Sequence, residues 1–177
     1  MSMHPAAKAA GPKDPGTQQV LTFELGNETY GVEILRVREI RGWTSITKIP
    51  RAPSHVLGVL NLRGAIVPVV DLRMRFELER AEYTKVTVII VLSVHSSNGR
   101  REVGVVVDGV SDVVDVDTES VKQAPDLGDK LATECIRGLV SVADRMVVLL
   151  DIDRLIGSQL ADLPAGQPGP APAAEAA

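Results

Sequence analysis

One nineteen-residue phrase occurs twice in this chain, and the repetition constrains the fold more than any other feature. Residues 58–76 read Gly-Val-Leu-Asn-Leu-Arg-Gly-Ala-Ile-Val-Pro-Val-Val-Asp-Leu-Arg-Met-Arg-Phe, and residues 138–156 follow the same pattern at an offset of 80. Gly58 is matched by Gly138, Val67 by Val147 and Asp71 by Asp151. Apolar positions recur as Leu60/Val140, Leu62/Val142, Ile66/Met146, Val69/Leu149, Val70/Leu150 and Leu72/Ile152. In each copy two short apolar runs flank a tight turn, and after the aspartate the spacing becomes helical. This predicts a strand, a turn, a second strand and a helix start. The first copy carries Asn61, Arg63 and Gly64 at its turn, where the second carries Ser141, Ala143 and Asp144. The scaffold is shared and the chemistry at the tip is not.

A second echo lies at an offset of 73. Gly31-Val32 matches Gly104-Val105, Ile34 matches Val107, Val37 matches Val110, Glu39 matches Asp112 and Ile40 matches Val113. The two echoes fall in the same order, which predicts two similar units, each a hairpin followed by the repeated phrase, and hence paired small β-barrels. β-Branched residues dominate between turn signals spaced about every ten residues, as in small all-β folds. Residues 18–25 alternate as a strand, Gly26-Asn27 turns, and 28–32 returns. Residues 84–94 and 101–107 read as partner strands about a turn at 96–99. Apolar residues at 34, 37 and 40 have helical spacing and predict a short helix over 33–40. Asp151 is placed to cap a closing helix over 151–159, and Asp71 its counterpart. Pro68 cannot donate to a ladder, so its strand is expected at a sheet edge.

At 177 residues the chain suits one domain or two small subdomains. That length buries roughly 70% of the unfolded surface, so neither disulfide nor metal is required for folding. Cys135 is the only cysteine, which excludes an internal disulfide, fits a reducing compartment, and reads as a small buried apolar residue. A net charge of −4 with 3% aromatics gives neither the basic face nor the stacking platforms of a nucleic-acid binder. The N-terminus has no signal-peptide apolar core, and the longest apolar run, 86–92, is far too short to span a bilayer. A soluble, cytoplasmic protein is expected. Residues 1–16 and 164–177 are rich in Pro, Ala and Gly and read as flexible tails around a folded region at 17–163.

Catalytic chemistry finds no foothold. His4 lies in the head, and His55 and His95 sit at expected loop or turn positions without metal-ligand spacing. No phosphate loop, dinucleotide fingerprint or nucleophile elbow occurs. The run Asp115, Asp117, Glu119 resembles a calcium loop, but Ser120 stands at its sixth position and Asp126 at its twelfth, where Gly and Glu belong. Asp71 and Asp151 follow apolar strands at equivalent places, which favours two helix caps over an acid/base pair. The chain is expected to be no enzyme and to need no cofactor.

What remains is a surface for partners. Arg63 stands at a turn tip beside a glycine that permits positive φ, and the phrase departs from its own echo around that tip. The plain alternative is a solvated hairpin arginine, and Glu39 has the same plain alternative. Trp43, the single tryptophan, suits either an interface anchor or loop packing.

Three ordered blocks resemble the CheW family of bacterial chemotaxis coupling proteins, over about 17–160. The first is Tyr30-Gly31-Val32-Glu33-Ile34 with Val37-Arg38-Glu39-Ile40, the second is the 58–76 phrase with its Asn-Leu-Arg-Gly turn, and the third is 103–113. The resemblance implies an all-β fold of two interlocked SH3-like five-stranded barrels around a shared core. It also implies an adaptor joining the cytoplasmic tips of methyl-accepting receptors to the CheA histidine kinase, recruited to membrane-associated arrays. Carried over by motif, the receptor contacts are Ile34, Val37, Glu39, Gly58, Arg63, Gly64 and Val88, with Glu39 and Arg63 as a charged pair bordering a groove between the subdomains. Kinase contacts map to Val113, Lys122 and Leu127, Lys122 standing where an Arg is often found and Leu127 where a Phe can occur. The regulatory domain of CheA is itself CheW-like, so ring assembly with other CheW-like domains is implied. The alternatives are a coupling protein for a non-motility output and, more remotely, the regulatory part of a larger kinase or receiver-bearing adaptor, for which the flanking tails are expected to be too short.

Overall fold

The computed structural model describes residues 16–78, 82–96, 99–125 and 134–157. Apart from Gly16, the expected tails and residues 158–163 lie outside these, as do His4, Asp126 and the tip of the 96–99 turn. The strands are β1 (Thr17–Leu25), β2 (Glu28–Glu33), β3 (Val37–Gly42), β4 (Val56–Leu62), β5 (Ala65–Asp71), β6 (Val88–Ser96), β7 (Gly99–Val107), β8 (Gly109–Asp117), β9 (Ile136–Val142) and β10 (Arg145–Leu150). Short helices α1 (Leu72–Arg75) and α2 (Ile152–Gly157) follow β5 and β10.

Two five-stranded sheets result, ordered β8-β1-β2-β10-β9 and β3-β6-β7-β5-β4. The echoes in the sequence superpose these orders, with β3 standing for β8, β6 for β1, β7 for β2, β5 for β10 and β4 for β9. Each sheet contains one parallel pair, β10 with β2 and β5 with β7, and its other pairs are antiparallel. The sequence units and the sheets do not coincide. β3 leaves the β1–β2 hairpin and pairs with β6 in the other sheet, while β8 leaves β6–β7 and pairs with β1. Each sheet therefore takes strands from both repeats, and the expected pair of barrels is interlocked.

Apolar packing follows this exchange. One cluster (Leu62, Val67, Val69, Ile89, Val91, Val106) fills the second sheet, and another (Val20, Val116, Val140, Val147, Leu149) fills the first. Between them lies a shared core that includes Leu21, Phe23 and Leu25 from β1, Ile90, Leu92 and Val94 from β6, and Ile152, Leu155 and Ile156 from α2. Alternation along β1 and β6 sends neighbouring residues to different clusters, Val20 and Leu21 in one case and Ile89 and Ile90 in the other. Cys135 is buried in the shared core, as expected, and burial pushes its thiol pKa up.

Three local expectations are corrected. The helix over 33–40 is a single 3-10 turn (Ile34–Arg36) running into β3. A 3-10 turn has a period of three, and a bulge in the β3–β6 pairing between Val37 and Glu39 sets Val37 opposite Leu92 and Ile40 opposite Ile90, both members of the shared core. The three-residue spacing thus arises without a helix. The strand expected from residue 84 starts at Val88, because residues 84–87 form a turn closed by Thr87 N–H to Thr84 O at 3.1 Å. β5, which carries Pro68, is not an edge but lies between β4 and β7. Val59, opposite Pro68, exchanges both backbone hydrogen bonds with Thr47 on the outer side of β4, so the proline nitrogen points toward β7. The ladder to β7 begins only at Val69, and no donor is missed.

Both aspartate caps are present. Asp71 accepts from the Arg73 N–H at 2.9 Å and Asp151 from the Arg154 N–H at 3.1 Å. Asp71 does more than cap. It is 1% exposed and also accepts from Arg73 Nε at 3.2 Å, Arg73 Nη2 at 3.1 Å and the Tyr83 hydroxyl at 2.8 Å. Arg73 lies 5.0 Å from the Tyr83 ring centroid, and Tyr83 stacks on Trp43 at 4.0 Å, so the tryptophan serves loop packing. Burial first, then the hydrogen bond to Asp71, pushes the Tyr83 hydroxyl up to about 12, while burial followed by Glu28 raises Tyr30. The folded value exceeds the unfolded one, so the contribution of Tyr83 to stability is complete below pH ~10 and is lost toward pH ~12. Spectrophotometric titration of the folded protein should therefore show a component ionising near pH 12, and Tyr83→Phe should remove it. A component ionising at pH 10 before unfolding that disappears in Tyr83→Phe would contradict this placement.

Candidate partner-docking site

The β4–β5 turn has positive φ at both central residues, Arg63 (φ 53°) and Gly64 (φ 88°), the geometry of a type I′ hairpin. Asn61 closes it by accepting the Gly64 N–H at 2.9 Å. The second copy makes the same turn with Ala143 (φ 49°) and Asp144 (φ 65°). The difference is what the tip presents. Arg63, with an 85% exposed side chain, reaches across to Glu39 on β3 at 3.4 Å. Arg41, two residues along the same strand face, stands 3.5 Å from the other Glu39 oxygen. Sequence reasoning missed Arg41, although i,i+2 spacing on a strand would have found it.

The bulge in β3 divides the strand chemically. Glu39 and Arg41 pair opposite Val91 and Ile89 of the barrel core, whereas Val37 and Ile40 face the shared-core side. Ile34, Val37 and Val88 are half-buried against the shared core, and Ile40 remains 46% exposed. The result is an apolar row along the seam between the sheets, bordered by a carboxylate between two guanidinium groups. Gly64 is exposed at the tip. Gly58 is placed differently from the other expected contacts. It is buried, and a Cβ on it would lie 1.9 Å from the Thr47 carbonyl oxygen.

The residues assigned to the kinase fall on the other sheet. Val113 on edge strand β8 is 47% exposed, and exposed Lys122 exchanges backbone hydrogen bonds with Leu139 of β9 at 2.8 and 2.7 Å. Leu127 lies outside the described residues. No group of three or more His, Cys, Asp and Glu side chains among the described residues is placed to hold a metal. No helix among them is long and apolar enough to cross a membrane.

The model of the CheW-like domain family matches residues 19–160. The chain belongs to the CheW family. The "Chemotaxis protein CheW" of Klebsiella aerogenes is 46% identical over 142 residues, covering 80% of this chain and 83% of that protein. The protein of the same name from Rhizobium meliloti is 40% identical over 144 residues, covering 81% and 90%. The crystal structure of the scaffolding protein TtCheW from Thermoanaerobacter tengcongensis matches with a TM-score of 0.70 at 31% identity, covering 78% of this chain and 92% of that one. The interlocked all-β architecture is thus that of a solved CheW.

Proposed function

We propose that this protein is a non-catalytic chemotaxis adaptor in the cytoplasm that couples methyl-accepting receptors to a CheA-type kinase within membrane-associated arrays. The receptor's helical tip lies along the β3–β6 seam, its apolar residues against Ile34, Val37, Ile40 and Val88 and its polar flank against the Glu39–Arg63 pair. The regulatory domain of the kinase meets the first sheet, near Val113 and Lys122. The observation that carries this reading is the Glu39–Arg63 contact of 3.4 Å beside an apolar row, on the sheet opposite the residues assigned to the kinase.

The division of labour is testable because the ion pair is open to solvent on its Arg63 side. Such pairs are worth about 0–1 kcal/mol of stability, so their value here is in orientation and specificity. Arg63→Ala and Glu39→Ala should each weaken binding to a receptor signalling tip while shifting the denaturant midpoint by less than about 1 kcal/mol equivalent. Titration calorimetry with a receptor fragment, alongside urea unfolding, reads both quantities. Full binding by both variants would overturn the site.

A further inference from the structure

The pseudo-two-fold relation between the sheets extends to two polar clasps, and their charges are reversed. On one side Arg73 of α1 donates from Nη1 to Asp108 at 2.9 Å. Asp108, at the β7–β8 crossover, accepts the Gly26 N–H at 2.7 Å and sends its own N–H to the Glu24 carbonyl at 3.0 Å. On the other side Asp153 of α2, the counterpart of Arg73, accepts from Arg36 at 3.0 and 2.7 Å through both its oxygens. Arg36 sits at the β2–β3 crossover, one position from the counterpart of Asp108, and donates to the Ser93 carbonyl at 3.2 Å. Asp153 also accepts the His95 N–H at 2.8 Å. Aligning Leu25 with Val94 makes Gly26 equivalent to His95 and Glu24 to Ser93. Both clasps therefore tie a helix to a crossover and to the far end of the other sheet's hairpin, one with the cation on the helix and the other with the anion there.

Their surroundings differ. Arg73 is 2% exposed, whereas the Arg36 and Asp153 side chains are 24% and 31% exposed. A cavity of about 180 Å³, lined by Val32, Glu33, Arg36, Leu150 and Asp153 among others, lies beside the second clasp, so its crossover has room to move. That crossover is the Ile34–Arg36 turn, and β3, which carries Val37 and Glu39, follows it directly. Burial alone would raise the pKa of Asp153, but the His95 N–H and the Arg36 guanidinium outweigh it and hold the carboxyl below 3.8. The clasp is thus charged at neutral pH.

We infer that Arg36 and Asp153 are positioning residues for the docking seam, holding the β2–β3 crossover so that Ile34, Val37 and Glu39 present a preformed surface. This rests on the docking role proposed above for that seam. A bidentate charged pair at 2.7 and 3.0 Å fixes the arginine in angle as well as distance. A partner that needs the crossover in place binds with an affinity scaled by the fraction of time it is in place.

The test uses the full-length protein, with amide hydrogen exchange of the free chain and affinity for a receptor signalling-tip fragment measured together. Arg36→Ala and Asp153→Ala should each speed exchange at residues 34–41 by roughly tenfold. They should also weaken tip binding measurably, with the double variant no worse than either single one. Arg36→Lys, which keeps the charge and loses the fork, should fall between wild type and Arg36→Ala. Arg145→Ala, removing an exposed pair with Glu24 at 3.9 Å, should leave both readouts unchanged. Unchanged exchange at 34–41 in both single variants, or additive losses in the double one, would overturn the proposal. Faster exchange in a protein whose wild type does not bind the tip would uphold the clasp and overturn the docking role.

Discussion

Arg73→Ala should lower the unfolding free energy by about 3–5 kcal/mol, the range for breaking a buried ion pair by removing one partner. The lost attraction is the smaller part of this. The larger part is the carboxylate left behind. Asp71 is 1% exposed, and of its four donors two are on the Arg73 side chain, leaving the Arg73 N–H and the Tyr83 hydroxyl. Asp108 loses its partner as well, on the link that reaches Gly26 in the other sheet. Urea unfolding checks the magnitude, and Arg63→Ala supplies the contrast, since that arginine is 85% exposed and nothing buried depends on it. A midpoint for Arg73→Ala equal to that of Arg63→Ala would show that the buried cluster does not hold the sheets together.

Gly58→Ala should be nearly as damaging, by at least about 2 kcal/mol, for two reasons that combine. Its φ of +144° is one that side-chain-bearing residues rarely adopt. An added Cβ would also stand 1.9 Å from Thr47 O and 3.0 Å from Lys48 Cα, which are backbone atoms with no rotamer to yield. The segment carrying Thr47 must lift away, breaking its two hydrogen bonds to Val59. Trp43 begins that segment and is the only tryptophan, so its fluorescence should report the displacement directly. Gly64→Ala is the control. Its φ is +88°, but a Cβ there would meet nothing within 4 Å, and the expected cost is roughly 1 kcal/mol. If Gly58→Ala impairs receptor binding, the loss should track the fluorescence change, marking a role in building the surface. Unaltered fluorescence with lost binding would mark direct contact instead.

The duplicated architecture was legible in the sequence because the residues that build it are small or apolar and spaced by strand geometry. Gly58/Gly138 and Gly31 stand where backbone or side chains approach too closely for a Cβ, and Gly104, the counterpart of Gly31, where the fit would be tight. Asp71 and Asp151 recur where two helices begin. Strand exchange was legible only through the family resemblance, since nothing local in Val37–Gly42 distinguishes pairing with its own hairpin from pairing with β6. The short helix failed for a related reason, a 3-10 turn and a bulge together reproducing helical spacing. Of the proposed docking surface, Glu39 and Arg63 were legible as a pair only through the family resemblance, because 24 residues separate them and only the barrel's curl brings them within 3.4 Å. The two clasps escaped notice altogether. Arg36, His95 and Asp153 are unremarkable one by one, and their partnership spans 117 residues.

The exchange of β3 and β8 also bears on what the molecule is free to become. Two unlinked copies of a single five-strand half could complete each other through the same crossed strands, and the twofold would then force every residue to serve at both sites at once. Joining the halves in one chain lifts that restriction. Arg63 can stand where its counterpart is Ala143, and Asp153 where its counterpart is Arg73, each without imposing the change on the other side. A symmetric body obtains two dissimilar faces in this way, which is what a molecule holding two dissimilar neighbours requires.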